Sequence, residues 1–136
     1  MAILVAYDGS DPARKAIEHA VRQYPDEELI LLRVVELAGG STSAGINLLK
    51  EQLKAEERDE DVTDELDALL DDKAVDYRVE TAVGDPAREI VAFANDHDVG
   101  HIIVGSHGRS GVSRVLLGSV AEKVVRRAGT PVTVVR

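Results

Sequence analysis

Along this chain, short unbroken runs of Val, Ile and Leu alternate with longer stretches in which apolar residues return every three or four positions. A continuous apolar run suits a strand buried on both faces, and an amphipathic stretch after it supplies a crossover helix. Repeated, the two build a parallel sheet of strand-helix-strand units, an α/β fold. Four runs fit: residues 2–7 (AILVAY), 28–35 (ELILLRVV), 101–106 (HIIVGS) and 131–136 (PVTVVR), the last entered by a proline that suits a strand start. A fifth, residues 75–82 (VDYRVETA), alternates and is more polar, as an edge strand would be.

Between the strands, the spacing predicts a helix that opens at Asp11-Pro12, with Asp11 as N-cap and proline at the first helical position, and stops at Tyr24-Pro25. Its apolar stripe is Ala13, Ala16, Ile17, Ala20 and Val21. Asp85-Pro86 repeats that start and predicts a helix with Ile90, Phe93 and Ala94 turned inward. The DPAR shared by residues 11–14 and 85–88 reads as recurring capping chemistry rather than as a duplication. A further helix begins at Gly118-Ser119, with Val120, Ala121, Val124, Val125 and Ala128 toward the core and Lys123, Arg126 and Arg127 near its negative end. Residues 38–45 (AGGSTSAG) read as a flexible connector. The segment after it, to Lys73, reads as helical on Leu49, Leu53, Leu66, Leu69 and Leu70.

Length and charge narrow the function. A chain of 136 residues is most simply one domain, residues 1–136, able to bury roughly two thirds of its unfolded surface. With no cysteine, it forms no disulfide and no thiolate metal site. The first ten residues lack the basic region of a signal peptide, and no apolar run reaches the about 20 residues of a membrane span. The expectation is a cytoplasmic protein. A net charge of −9, with one Phe and three Tyr, argues against nucleic acid and anionic membranes as partners. The acid excess, with 11 Arg against 5 Lys, resembles proteins of salt-rich cytoplasm as well as merely soluble acidic ones. Residues 51–72 carry eleven acids against two bases. They lack the spacing and glycine of a calcium loop and read as a solvated helix face.

Against that background, residues 105–119 (GSHGRSGVSRVLLGS) stand apart. From Val99 to Ala121 there is no Asp or Glu, where proportion would place roughly four. The same window holds His101, His107, Arg109 and Arg114. The segment leaves the carboxyl end of a buried strand, beginning Val104-Gly105, and delivers the chain to a helix amino terminus at Gly118-Ser119. Free backbone N–H groups and a partial positive charge there favour an anion. Gly105 and Gly108, without Cβ atoms, permit a tight turn and close approach of a ligand to the backbone. Ser119 either caps the helix or donates its hydroxyl to a phosphate oxygen. The spacing is neither a P-loop nor a dinucleotide fingerprint, and GRSGVSR is not a nucleophile elbow. A turn-rich surface loop is the alternative reading of the pattern alone.

The whole chain resembles the universal stress protein family, and its ATP-binding subgroup in particular. That subgroup is marked by Gly, two residues, Gly, nine residues, Gly, then Ser or Thr. Here the pattern is Gly105, Ser106-His107, Gly108, nine residues from Arg109 to Leu117, Gly118, Ser119. ILVAYDGS resembles the family's first strand and turn, and GTPVTVVR its last strand. The resemblance implies a doubly wound five-stranded parallel sheet in order 3-2-1-4-5 with helices on both faces, Rossmann-like and adenine nucleotide alpha hydrolase-like, with ATP bound between the first and fourth strands. By that resemblance, Ala6, Asp8 and Val34 lie at the adenosine end. Val104, Gly105, His107, Gly108, Gly118, Ser119 and Val120 line the phosphate end, Arg109 adds charge neutralisation, and Mg²⁺ is held mainly by the phosphates.

The remaining candidates read as follows. Asp8, ahead of Gly9-Ser10-Asp11, is turn chemistry on pattern alone and a ligand contact by resemblance. His97 and His101, four apart, read as a surface loop residue and a strand-entry residue rather than a metal pair. His107 is a positional contact. The last strand presents Val132, Thr133, Val134 and Val135 at an exposed sheet edge, which invites pairing. The family commonly dimerises there, implying a homodimer through Val132 and Val134. The leading expectation is a nucleotide-binding regulatory protein of the stress response. The alternatives are a slow ATPase or phosphotransferase, for which Asp8, Asp11 and His107 are the available groups, and a dimeric interaction module that binds no nucleotide.

Overall fold

The computed structural model describes residues 1–8, 10–35, 70, 75–106 and 118–136. Five strands form one sheet: β1 (Ala2–Ala6), β2 (Leu29–Val35), β3 (Tyr77–Val83), β4 (Val99–Gly105) and β5 (Val132–Val135). The order is β3-β2-β1-β4-β5 and every pairing is parallel. The helices among the described residues with full spans are α1 (Asp11–Gln23), α2 (Pro86–Asp96) and α3 (Ser119–Arg127). The α/β class and the strand order implied by the resemblance hold.

The three central strands are buried because both their faces are covered. On one face Ile3, Val5, Leu29, Leu31 and Ile103 meet the α1 stripe of Ala13, Ala16, Ile17, Ala20 and Val21. On the other, Leu4, Ile30, Leu32, Ile102 and Val104 meet Ala87, Ile90 and Ala94 of α2 and Ala121 and Val124 of α3. Leu4, Ile17, Leu29, Ile30, Leu31 and Ile102 are wholly or almost wholly removed from water. At about 25 cal/mol per Å² of apolar surface, two such layers dominate the stabilisation. Leu70 is helical and buried in the α1-side cluster. The rest of the helical reading after residue 45, and the connector at 38–45, lie outside the described residues.

Several local expectations change. The N-cap of α1 is Ser10, whose Oγ accepts from the Ala13 N–H at 3.3 Å, so Asp11 and Pro12 are the first two helical residues. A serine side chain reaches the third helical N–H as well as an aspartate does, and Ser10 is in the extended backbone that capping requires. Asp85 does cap α2, its carboxylate accepting from the Arg88 N–H at 3.1 Å. β4 starts at Val99, two residues before the predicted strand, because the turn from α2 is completed by Asp98 at φ 53°. His101 is therefore inside a strand rather than at its entry. Val125 is 46 % exposed and does not face the core; its turn of α3 is held inward by Ala121 and Val124 instead.

Candidate functional site

Topology places the site before any side chain does. From β1 the chain crosses through α1 to β2 on one side, whereas from β3 it returns through α2 to β4 on the other side of β1. The carboxyl ends of β1 and β4 thus diverge at the switch point, the place where open parallel sheets leave a crevice. Register fixes the ends relative to each other: Val5 pairs with Ile103 of β4, and Ala6 with Leu32 of β2.

At that end, Ala6, Val34 and Val120 are half-buried against the cluster that contains Val104 and the inner faces of α2 and α3. Four of the predicted site residues therefore share one face of the sheet. Asp8 follows β1, exposed, and its Oδ1 accepts from the Ser10 N–H at 2.9 Å. This is an Asx turn, which shapes the passage from β1 into α1. Turn chemistry, read from the sequence as one of two roles, is a role Asp8 has in this structure.

Gly105 has a packing role that the spacing of the motif does not show. A Cβ built on it would lie 2.8 Å from Pro12 Cβ and 2.9 Å from both the carbonyl carbon and oxygen of Pro12. The space it leaves is taken by the first turn of α1, on the opposite face from Ala6, Val34 and Val104. Its lack of a side chain serves the packing of α1 on β4.

The amino end of α3 is built by backbone. Gly118 is the N-cap, in extended conformation at φ −67° and ψ 160°, and has no side chain with which to cap. Ser119 is consequently the first helical residue, exposed, and does not cap. Helices α1 and α2 both receive a side-chain cap, whereas α3 relies on geometry. The Gly118 N–H donates to the Ser106 carbonyl, while the Ser106 N–H donates to the Val135 carbonyl at 2.8 Å. Ser106, buried at 4 % exposure, thus ties the end of β4 to β5 and to the start of α3. The sequence does not single out Ser106, because these two bonds are made by its peptide group; its place between Gly105 and His107 in the spaced-glycine motif is the available signal. His107, Gly108 and Arg109 lie outside the described residues.

Elsewhere, His97 caps the carboxyl end of α2 and stacks on Phe93 at a centroid distance of 3.9 Å. His101 lies half-buried in β4, so the two histidines belong to different elements.

A doubly wound parallel sheet with its switch point between β1 and β4, and a helix that begins beside it without a side-chain cap, define a Rossmann-like α/β protein. The chain belongs to the universal stress protein family, whose family model matches residues 1–136. It is similar to the universal stress protein YxiE of Bacillus subtilis, at 38 % identity over 144 residues, covering 98 % of this chain and 97 % of that one. Among solved structures, it superposes on the universal stress protein UspA from Lactobacillus plantarum with a TM-score of 0.80 at 29 % identity, covering 100 % of this chain and 97 % of that chain. A universal stress protein in complex with cAMP gives 0.72 at 24 % identity over 100 % and 97 % of the two chains, a likeness of fold.

Proposed function

We propose that this chain, acting as a single domain over residues 1–136, is an adenine nucleotide-binding regulatory protein of the stress response, with ATP as ligand and Mg²⁺ held mainly through its phosphates. The observation that carries the reading is the meeting of the spaced-glycine motif with the switch point. Gly105-Ser106 ends β4, Gly118-Ser119 begins α3, and a hydrogen bond between Ser106 and Gly118 brings the two ends together. On this reading Ala6, Asp8 and Val34 receive the nucleoside. Val104, Gly105, His107, Gly108, Arg109, Gly118, Ser119 and Val120 surround the phosphates, largely through backbone N–H groups aligned with the dipole of α3. That a protein of this fold is in complex with cAMP is consistent with the ligand class, and this chain's own motif carries the reading.

Gly118 provides the test. Its φ and ψ are open to any residue, so Gly118→Val retains the backbone while placing a branched side chain where phosphate would approach. Calorimetric titration of the emptied protein with Mg-ATP is expected to give micromolar affinity for the parent and a loss of more than tenfold in the folded variant. Equal affinity in a variant with unchanged circular dichroism refutes the placement of the site.

A further inference from the structure

His101 has no part in that site, yet the end of α1 and β5 both reach it. Its Nε2 lies 2.6 Å from Oγ1 of Thr133 on β5. Its Nδ1 lies 3.4 Å from the hydroxyl of Tyr24, the C-cap residue of α1, and the two rings are 5.5 Å apart at 43°. β5 is four residues long, at the end of the sheet, and its ladder runs along β4 alone, from the Ile102–Val132 pair to the Gly105–Val135 pair. Within one chain, a short strand with a single ladder has little else to fasten it. The imidazole adds a side-chain fastening that continues past β4 to α1.

Its chemistry depends on the ring's charge. A neutral imidazole has one donor and one acceptor nitrogen, and the hydroxyls of Thr133 and Tyr24 serve either. An imidazolium donates from both nitrogens, so both hydroxyls must accept and turn their protons elsewhere, and the cation stays half-buried. From α1, the titratable groups facing it are His19 and the Tyr24 phenol. From β5 it meets the uncharged Thr133, and on β1 its register partner is the aliphatic Ile3. None of these compensates a positive charge. Burial, and secondarily His19, accordingly hold the His101 pKa below its ordinary 6.5.

We propose that His101 is an acid-released clasp on β5: neutral, the ring fastens the edge strand to α1 through Thr133 and Tyr24, and protonated, it turns to water and leaves β5 to its ladder. Because the folded pKa lies below the unfolded one, the unfolded chain binds more protons between them. The clasp's contribution is complete above the ordinary histidine value and is lost as pH falls through the folded one.

The test is amide hydrogen exchange on the full chain, followed by NMR in steps from about pH 7.5 down through the midpoint of the His101 ring's own ¹⁵N titration. Each rate is referred to the intrinsic rate at that pH, and two protein concentrations separate any self-association. Protection of the β5 amides is expected to fall on acidification by several-fold more than that of β1 and β2. His101→Gln, which keeps a hydrogen-bonding head without a titration, removes that selectivity. The ring's own ¹⁵N titration supplies a readout needing no variant: its midpoint is expected below the ordinary value and to coincide with the loss of β5 protection. Uniform acid sensitivity across the sheet, a selective loss that survives in His101→Gln, or a ring midpoint at or above the ordinary value overturns the proposal. Nucleotide takes no part, so failure here leaves the proposed function standing.

Discussion

Gly105 shows how a residue can be located by sequence while its packing role stays hidden. Its place in the spaced motif was legible, because spacing is a one-dimensional property. Its partner was not, because Pro12 lies far from it along the chain and is brought close only by the packing of α1 on β4. His101 was misjudged for the same reason, since its burial is set by Tyr24 and Thr133, which local sequence does not connect. In Gly105→Ala the new methyl meets backbone atoms that cannot swing aside, so the variant is expected to lose about 1–3 kcal/mol, as overpacked sites do. Urea denaturation reads this as a lower midpoint at unchanged slope. An unchanged midpoint would mean that Pro12 is free to retreat.

Among the elements, those with strong local signals were read almost to the residue. The α1 stripe repeats at helical spacing and all five of its residues are buried; the proline at Pro86 and the aspartate at Asp85 mark the start of α2. Where two capping residues compete, local chemistry does not choose. Ser10 and Asp11 are both good N-caps, and the Asx turn at Asp8 sets which one enters the helix. Ser10→Ala is therefore expected to cost about 1 kcal/mol. Asp11→Ala is expected to cost clearly less, its carboxylate being exposed and 3.9 Å from Arg14. Thermal unfolding of the two variants decides the matter, and a larger loss from Asp11→Ala would restore the sequence's reading. The apolar pattern of α3 places Val125 toward the core, with Val120, Ala121, Val124 and Ala128. Its exposure follows from the angular position of its turn, with Ala121 and Val124 already filling the inward arc.

At the scale of the molecule, the two sheet edges differ. β3 carries Arg78 and Glu80, paired with each other at 3.7 Å, and Arg78 also faces Glu28 at 3.6 Å. β5 is Val-Thr-Val-Val, half-buried and uncharged. Charges discourage pairing at one edge, and their lack permits it at the other. On that contrast, together with the resemblance, we propose a two-fold dimer through Val132 and Val134. Sedimentation is expected to give twice the 14.6 kDa chain mass, and a single-chain mass at micromolar concentration would refute it. Among the described residues no helix is long and apolar enough to cross a membrane.

The claim that joins these scales is that the ends of β4 and α3, brought together at Ser106 and Gly118, cradle the phosphates of an adenine nucleotide. Its most direct test is to purify the protein without added nucleotide, denature it, and identify by mass what is released. An adenine nucleotide in near one-to-one ratio with the chain is the predicted result. A protein that releases none, and whose refolded form takes up no Mg-ATP in either low or molar salt, would contradict the account.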